Sequence, residues 1–213
     1  MKRGIFTNKT LTYNISNNKF IKIKHYMNID KRIEVLIDEI IRVNHAGESG
    51  AKQIYKYQAK ALKSENDKNQ IKAMLSQELV HLEYFDKIGK ELQIRPTLMS
   101  LIWNIGASSL GVITGKIGIK AVMSCTAGVE KVIQKHYECQ LLQIDDFLNI
   151  INQDNKYYKI LQNLKHNIEI FLQDEKEHYE CGNEYINESM MFNVIKETSS
   201  VLTKFAVFIS TKI

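Results

Sequence analysis

Four glutamates lie at positions of predicted helices where a buried apolar side chain would be ordinary: Glu48, Glu78, Glu130 and Glu175. Each belongs to a stripe of residues that recur every three or four positions, which is the spacing of one face of an α-helix. A carboxylate buried without a partner is strongly unfavourable, so it must be protonated, paired with a cation or bound to a metal ion. The four stripes hold too few basic residues to pair every glutamate, and a shared metal site explains all four.

Two of these glutamates are followed by a histidine at the third position after them, which gives the pairs Glu78–His81 and Glu175–His178. Residues i and i+3 share a helix face, so the carboxylate and the imidazole of each pair can reach the same ion. A single Glu-x-x-His arises easily by chance. Two of them, together with the two unaccompanied glutamates, form the ligand set of ferritin-like bundles that hold two metal ions. The sequence therefore predicts an all-α, ferritin-like four-helix bundle.

Two iron ions per chain are the cofactor that this ligand set favours. Zinc prefers four ligands and accepts thiolate, and magnesium binds few nitrogen ligands, whereas four carboxylates and two imidazoles suit a pair of iron ions. The four carboxylates also balance the charge of two divalent cations. Manganese meets the same criteria and stays open as an alternative.

Five helices are predicted along the chain, which has one proline and ten glycines in 213 residues. Pro96 ends the second helix because its ring disfavours helix at the preceding residue, and polar breaks end the first, third and fourth. The predicted ranges are 31–62, 69–94, 121–150, 157–186 and 191–210, the last being a short C-terminal helix outside the bundle.

The connection between the second and third helices carries no charge over nineteen residues, 97–115. This length is enough to cross a bilayer, but serines, glycines and Asn104 weaken that interpretation. A span would also separate two helices that must meet in one bundle to share the metal ions. We therefore expect a long apolar crossover whose apolar face lies on the bundle or on a membrane surface.

Residues 1–30 are expected to form a basic, poorly ordered leader, and the ferritin-like domain is expected to cover 31–213. Residues 1–32 carry a formal charge of +7 while the whole chain carries +5, so the remainder is at −2. The basic character belongs to the leader and gives no support for nucleic-acid binding. A solvated tail, a contact with anionic lipid and a targeting sequence stay open as its role.

Three more residues are candidates for the surroundings of the metal site. His45 lies one turn before Glu48 and can orient it, with an ordinary polar helix position as the equal alternative. His136 and Tyr137 lie two turns after Glu130, and either can face the pocket, although core packing is favoured for both.

Several short motifs are more specific than the ligand set. The strongest are the His-Ala-Gly-Glu element at 45–48 and the Arg-Pro-Thr turn at 95–97. Others are Gln77-Glu78, Trp103-Asn104, Cys125-Thr126, Val129-Glu130, His136-Tyr137 and Asp174-Glu175. On these motifs, which run from about residue 38 to the C-terminus, the chain resembles the demethoxyubiquinone hydroxylase family, whose members are di-iron monooxygenases of ubiquinone biosynthesis.

This resemblance implies a role for each predicted ligand and a reaction. The ligands would divide between two iron ions as Glu48 with His81, Glu130 with His178, and Glu78 with Glu175 as the bridges. Dioxygen would supply one hydroxyl to a 2-methoxy-5-methyl-6-polyprenyl benzoquinol, with two electrons supplied per turnover. The polyprenyl quinol substrate would hold the enzyme at a membrane surface as a peripheral protein, and the 97–119 segment would line the path of the tail or dip into the lipid.

Two other kinds of protein share the ligand set. An iron-storage ferritin relative would need a polar outer surface, which the apolar connection does not favour, and a 24-subunit particle would identify it. A different di-iron oxidase would lack the His-Ala-Gly-Glu and Arg-Pro-Thr elements.

The location and the partners are less constrained by the sequence. The excess of Lys over Arg, 25 against 4, favours a bacterial origin and attachment to the cytoplasmic face of the cell membrane. The matrix side of the mitochondrial inner membrane is the alternative. A homo-oligomer or a partner from a biosynthetic complex also stays open.

Overall fold

The computed structural model of the chain describes residues 28–185 and 189–212. Nearly all of the predicted leader therefore lies outside the described residues. Within them the protein forms six helices and no strand, which confirms the all-α prediction. The helices are α1 (Ile29–Ala61), α2 (Glu65–Glu91), α3 (Ser100–Ile117), α4 (Ile119–Leu148), α5 (Tyr158–Glu184) and α6 (Met190–Ser210).

The bounds of α2 differ from the prediction, whereas the other four predicted helices agree to within two residues. α2 begins at Glu65 instead of 69 because Ser64 caps it: the Ser64 side chain accepts a hydrogen bond from the Asp67 backbone N–H at 3.4 Å. Glu65 and Asp67 then lie in the first turn, where the helix dipole favours negative charge. The polar residues that were interpreted as a break are the start of the helix.

Four helices form the bundle. α1 and α2 are joined by a short connection and pack as an antiparallel pair, and so do α4 and α5. α1 also runs antiparallel to α4, since Asn44 contacts Gln140 and Tyr55 contacts Glu130 further along. Polar side chains of α2 and α5 meet in the same antiparallel sense. The bundle therefore consists of two hairpins joined by a long connection, as predicted.

The uncharged connection is itself largely helical, which the sequence did not predict. α3 lies along α1, and a Cβ added to Gly111 would come within 2.5 Å of the Ile54 carbonyl oxygen. α6 lies against α4 in the same close manner, because a Cβ on Gly128 would be 2.2 Å from the Lys196 carbonyl oxygen. Glycine is thus required at both positions, and α3 and α6 form an outer layer on the bundle. No described helix is both long enough and apolar enough to span a membrane.

The interior of the bundle contains two apolar clusters with a polar layer between them. One cluster joins the first part of α1 to the end of α2, the second half of α4 and the first half of α5, around Ile33, Ile40, Phe85, Leu161 and Phe171. The second joins the end of α1 to the beginnings of α2 and α4, around Tyr55, Ile71, Met74, Val122 and Met123. On each bundle helix the predicted ligands lie between these clusters.

Candidate metal centre

The structure brings all six predicted ligands together in the polar layer. Each side chain is buried, with at most 3% of its residue surface exposed. They form two overlapping groups, Glu48, Glu78, His81 and Glu175 in one and Glu78, Glu130, Glu175 and His178 in the other. Within each group the candidate ligand atoms lie within 4.8 Å of one another. Glu78 and Glu175 belong to both groups, so each can reach two ions.

Both imidazole rings direct Nδ1 towards the carboxylates. His81 Nδ1 lies 3.3 Å from Glu175 Oε1 and 3.6 Å from Glu48 Oε2. His178 Nδ1 lies 3.2 Å from Glu78 Oε1. Each histidine therefore approaches the glutamate of the opposite Glu-x-x-His helix more closely than its own, from which Nδ1 is separated by 3.8 Å in His81 and by 3.6 Å in His178.

The other nitrogen of each ring has a partner on the outer side of the layer. His81 Nε2 lies 2.9 Å from Asp174 Oδ2, and His178 Nε2 lies 2.9 Å from Gln77 Oε1. Gln77 Nε2 in turn donates to Asp174 Oδ1 at 3.2 Å, which joins the two histidines through one chain of hydrogen bonds. Both partner oxygens only accept, so each Nε2 carries a hydrogen, and Nδ1 is the nitrogen that offers its lone pair to a metal ion once it is deprotonated.

The residues fit a pair of cations on a separate criterion, which is the state of their buried polar atoms. Both oxygens of Glu78, Oε2 of Glu175 and Nδ1 of each histidine are buried and have no hydrogen-bond partner within the described part of the chain. Buried acceptors without donors are costly, and metal ions would satisfy several of them at once. This set of oxygen and imidazole donors suits iron or manganese.

The pKa values of the cluster are shifted by burial and by the charges of the neighbouring carboxylates. Burial and the neighbouring Glu175 carboxylate raise the pKa of Glu78, and burial with the same neighbour raises that of Glu130. Burial lowers the pKa of His81, but its contacts with Glu175 and Glu48 outweigh burial and raise it to about 11. Without metal ions the cluster therefore holds protons in their place, and metal binding would release them.

Two tyrosines donate hydrogen bonds to Glu48 and Glu130, the two glutamates that each belong to only one of the ligand groups. Tyr137, a candidate from the sequence, donates to Glu48 Oε1. Tyr55 donates to Glu130 Oε1 at 2.6 Å and was not predicted to contact the site. Burial, followed by the charge of the carboxylate that each contacts, raises the pKa of both phenols, so they remain donors. Tyr55 lies on the same helix face as Glu48, two turns further on, and this spacing could have identified it as a residue near the site.

The two remaining candidates lie further from the carboxylates. His136 Nε2 accepts from Gln140 Nε2 at 2.8 Å, and Gln140 exchanges two hydrogen bonds with Asn44. Burial lowers the pKa of His136 to about 4. His45 points to α2, where its Nε2 lies 3.7 Å from Asp86 Oδ1, and no hydrogen bond joins it to Glu48 among the described residues.

An apolar cavity lies beside the polar layer, between α1, α4 and the outer helices. Its volume is about 240 Å³. Gly47 and Ala51 line it on either side of Glu48, and Val129 lines it next to Glu130. α1 and α4 therefore contribute carboxylates to the bundle interior and apolar side chains to this cavity.

A lone glutamate from each of two helices and a Glu-x-x-His from each of the other two define the four-helix carboxylate bundles with dinuclear metal sites. Comparison with known proteins assigns the chain within this class. The family model described as "Ubiquinone biosynthesis protein COQ7" matches residues 35–210, and the chain belongs to that family.

Similar proteins occur in bacteria and in eukaryotes. The mitochondrial NADPH-dependent 3-demethoxyubiquinone 3-hydroxylase of Dictyostelium discoideum is 35% identical, over 97% of this chain and 89% of its own length. The 3-demethoxyubiquinol 3-hydroxylase of Rhodospirillum rubrum is 33% identical, over 84% of this chain and 79% of its own. The human mitochondrial NADPH-dependent enzyme is 30% identical, over 88% and 82%.

Proposed function

We propose that this protein is a di-iron monooxygenase that uses dioxygen to hydroxylate the ring of a demethoxyubiquinol, a 2-methoxy-5-methyl-6-polyprenyl benzoquinol. The observation that carries the proposal is the pair of overlapping carboxylate and imidazole groups in a chain of the COQ7 family. The relatives above are named 3-demethoxyubiquinone or 3-demethoxyubiquinol 3-hydroxylases.

Each residue of the cluster has a proposed role. Glu48 with His81 would hold one iron ion and Glu130 with His178 the other, while Glu78 and Glu175 would bridge the two. The iron pair, when bound, supplies the activation of dioxygen. The tyrosines and the Gln77–Asp174 pair fix the orientation of the carboxylates and imidazoles, which keeps the ligands in place when metal ions bind or leave.

The reaction requires two electrons and two protons per turnover, because one oxygen atom enters the ring and the other leaves as water. The NADPH-dependent relatives support a reduced pyridine nucleotide as the source of those electrons. The apolar cavity supports the choice of substrate, since its walls from α1 and α4 adjoin the carboxylates and its walls from α3 and α6 adjoin the outer surface. A ring at the inner end and an isoprenoid tail towards the surface would match this polarity.

The quinone content of cells that lack this protein tests the proposed reaction. We expect the demethoxy-quinone to accumulate, and wild-type protein, but not a Glu78→Ala variant, to restore the final quinone. Purified iron-loaded protein should transfer one labelled oxygen atom from ¹⁸O₂ to the ring. A normal quinone profile in the deletion strain would contradict the proposal, and mineralised iron in a 24-subunit particle would favour storage.

We also propose that the protein is peripheral on the membrane that contains its quinone, in bacteria the cytoplasmic face of the cell membrane. The α3–α6 layer supports this, since Leu101 and Phe205 are 70% and 56% exposed, and Leu98, just before α3, is 85% exposed. The alternative is the matrix side of the mitochondrial inner membrane. The alignment with the mitochondrial Dictyostelium protein covers 97% of the chain and so extends into residues 1–27, which favours that alternative.

Cell fractionation tests the attachment. The protein should sediment with membranes and be released by alkaline carbonate, as a surface protein is. The double variant Leu98→Asp, Leu101→Asp should move to the soluble fraction with its iron content unchanged, because both side chains lie outside the bundle core. Loss of iron in that variant would show that the surface belongs to the core instead.

A further inference from the structure

A small cationic pocket lies between α1, the end of α2 and the connection that precedes α3, and the proposed reaction does not use it. Its volume is about 130 Å³. Its ionised side chains are Arg42, Lys90 and Arg95, and His45 lines it as well. Asp86 in the wall and Asp38, which pairs with Arg42 beside it, leave a formal balance of +1. A concave site with this balance attracts anions.

Several hydrogen-bond donors of the pocket remain free for a ligand. Arg42 uses Nε for the Ser210 carbonyl oxygen, at 3.2 Å, and Nη1 for Asp38, which leaves further N–H groups of its guanidinium. Arg95 makes no hydrogen bond or ion pair within residues 28–185 and 189–212.

The two arginines are the groups that suit a phosphate. Asp86 pairs with Lys90, whose Nζ lies 2.5 Å from Asp86 Oδ2, and Asp38 pairs with Arg42, so Arg95 is the cation of the pocket without an acidic partner among the described residues. Arg42 and Arg95 keep planar guanidinium groups, which bind phosphate oxygens through paired hydrogen bonds that an ammonium group does not reproduce.

The position of the pocket indicates where such a phosphate would come from. Arg95 precedes the exposed Leu98 by three residues, and Ser210, which holds Arg42, also accepts a hydrogen bond from Trp103 Nε1 at 3.1 Å. The pocket therefore lies at the edge of the apolar α3–α6 layer. Tryptophan is characteristic of the boundary between headgroups and acyl chains, so this edge is where lipid phosphates would lie.

We propose that the pocket binds the phosphate of an anionic phospholipid headgroup and so fixes the orientation of the α3–α6 layer on the membrane. This inference rests on the proposed peripheral attachment. The pocket is smaller than the roughly 300–1,000 Å³ that encloses a whole small molecule, so it holds one anionic group whose remainder extends outside. A lipid headgroup with its chains in the neighbouring bilayer meets that condition.

Vesicle binding of the full-length, iron-loaded protein tests the proposal. The measured quantity is the ratio of partition coefficients for vesicles with 20% phosphatidylglycerol and for pure phosphatidylcholine. Arg95→Gln should lower this ratio about fivefold, the effect of one basic residue near an anionic surface. Arg95→Lys keeps the charge but lacks the guanidinium, and it should lower the ratio about twofold or more. Lys72→Gln, on the exposed far half of α2, removes the same charge and should leave the ratio within experimental error.

Three results would overturn the proposal. Equal ratios for wild type and Arg95→Lys would mean diffuse attraction without a site, and an equal decrease in Lys72→Gln would mean the same. Arg95-dependent binding of NADPH or inorganic phosphate without vesicles, tighter than that of micellar short-chain phosphatidylglycerol, would assign the pocket to a soluble phosphate. Circular dichroism and iron content check that each variant folds.

The experiment separates this proposal from those on which it depends. Binding to neutral vesicles measures attachment through the apolar layer, whereas the anionic increment measures the pocket. Hydroxylation of a short-tailed quinol in detergent measures the reaction without either. If a variant loses the additional binding to anionic vesicles but keeps its binding to neutral vesicles and its hydroxylation activity, the result concerns the pocket alone.

Discussion

The bundle interior and the α3–α6 layer place their side chains in opposite ways. The interior buries four glutamates and two histidines with at most 3% exposure, whereas the outer layer exposes large apolar residues such as Leu101 and Phe205. Each arrangement is unfavourable for the protein alone, since buried charges lose hydration and exposed apolar side chains contact water. Each becomes favourable with a ligand, which we propose to be metal ions inside and lipid outside.

The largest effect is expected when a proposed metal ligand in the bundle interior is removed. Glu175→Ala removes a proposed bridge and should reduce iron from about two ions per chain to nearly none, because each bridge holds both ions. Hydroxylation should fall below detection. Glu177→Ala is the matched control, since that side chain lies on the same helix but is exposed and contacts only Gln173 among the described residues. Full iron content in Glu175→Ala would remove Glu175 from the ligand set.

A smaller loss is expected from the outer partner of His81. Asp174→Ala leaves Nε2 without its acceptor and should weaken metal binding about 10- to 100-fold. Asp174→Asn keeps an acceptor oxygen and should lie between this variant and the wild type. Titration with a competing chelator measures both. If Asp174→Ala bound iron as tightly as wild type, Asp174 would not position the imidazole.

Two glycines of α3 test the packing of the outer layer on the bundle without changing the metal site. Gly111→Ala places a methyl group 2.5 Å from the Ile54 carbonyl oxygen and should destabilise the protein by about 1–3 kcal/mol, or roughly 2–12 °C in Tm. Gly106→Ala meets no atom within 4 Å. It gains helix propensity and should stabilise by up to about 1 kcal/mol. Equal shifts in the two variants would contradict the close packing of α3 on α1.

The smallest effect expected is a difference in pH dependence between metal-free and iron-loaded protein. In the metal-free protein the pKa of Glu78 and Glu130 lies above the ordinary 4.5, and that of His81 rises from 6.5 to about 11. Burial lowers the pKa of His45, His136 and His178, which opposes this effect near pH 6.5. On balance the folded state binds more protons than the unfolded state, so its stability falls as pH rises from 6.5 to 8.5. We expect Tm to fall by at least about 2 °C, equivalent to about 1 kcal/mol.

Iron-loaded protein should respond in the opposite sense, because protons compete with metal ions for the same ligands and loading is favoured at higher pH. Calorimetry at pH 6.5 and 8.5 on both forms measures the two slopes. The iron-loaded form should also melt higher than the metal-free form at each pH, since binding to the folded state stabilises it. Parallel slopes with equal Tm values would contradict a metal site in the polar layer.

The sequence by itself determined the four helices of the bundle and the six glutamates and histidines of its polar layer. Spacing along one helix is a local property, so Glu78 with His81 and Glu175 with His178 were identifiable before any packing was known. The α3 helix was missed because its uncharged, glycine-containing segment has no clear period of its own. Gly111 is informative only when the backbone of α1 lies beside it.

Only the tertiary structure decided which partners these residues have. Tyr55 reaches Glu130, Gln77 reaches Asp174, and His45 turns to Asp86 instead of Glu48. Each of these contacts joins two helices, so it depends on how far each helix is rotated and shifted against its neighbour. Side-chain packing along the whole interface sets that rotation, and no single stretch of sequence contains it.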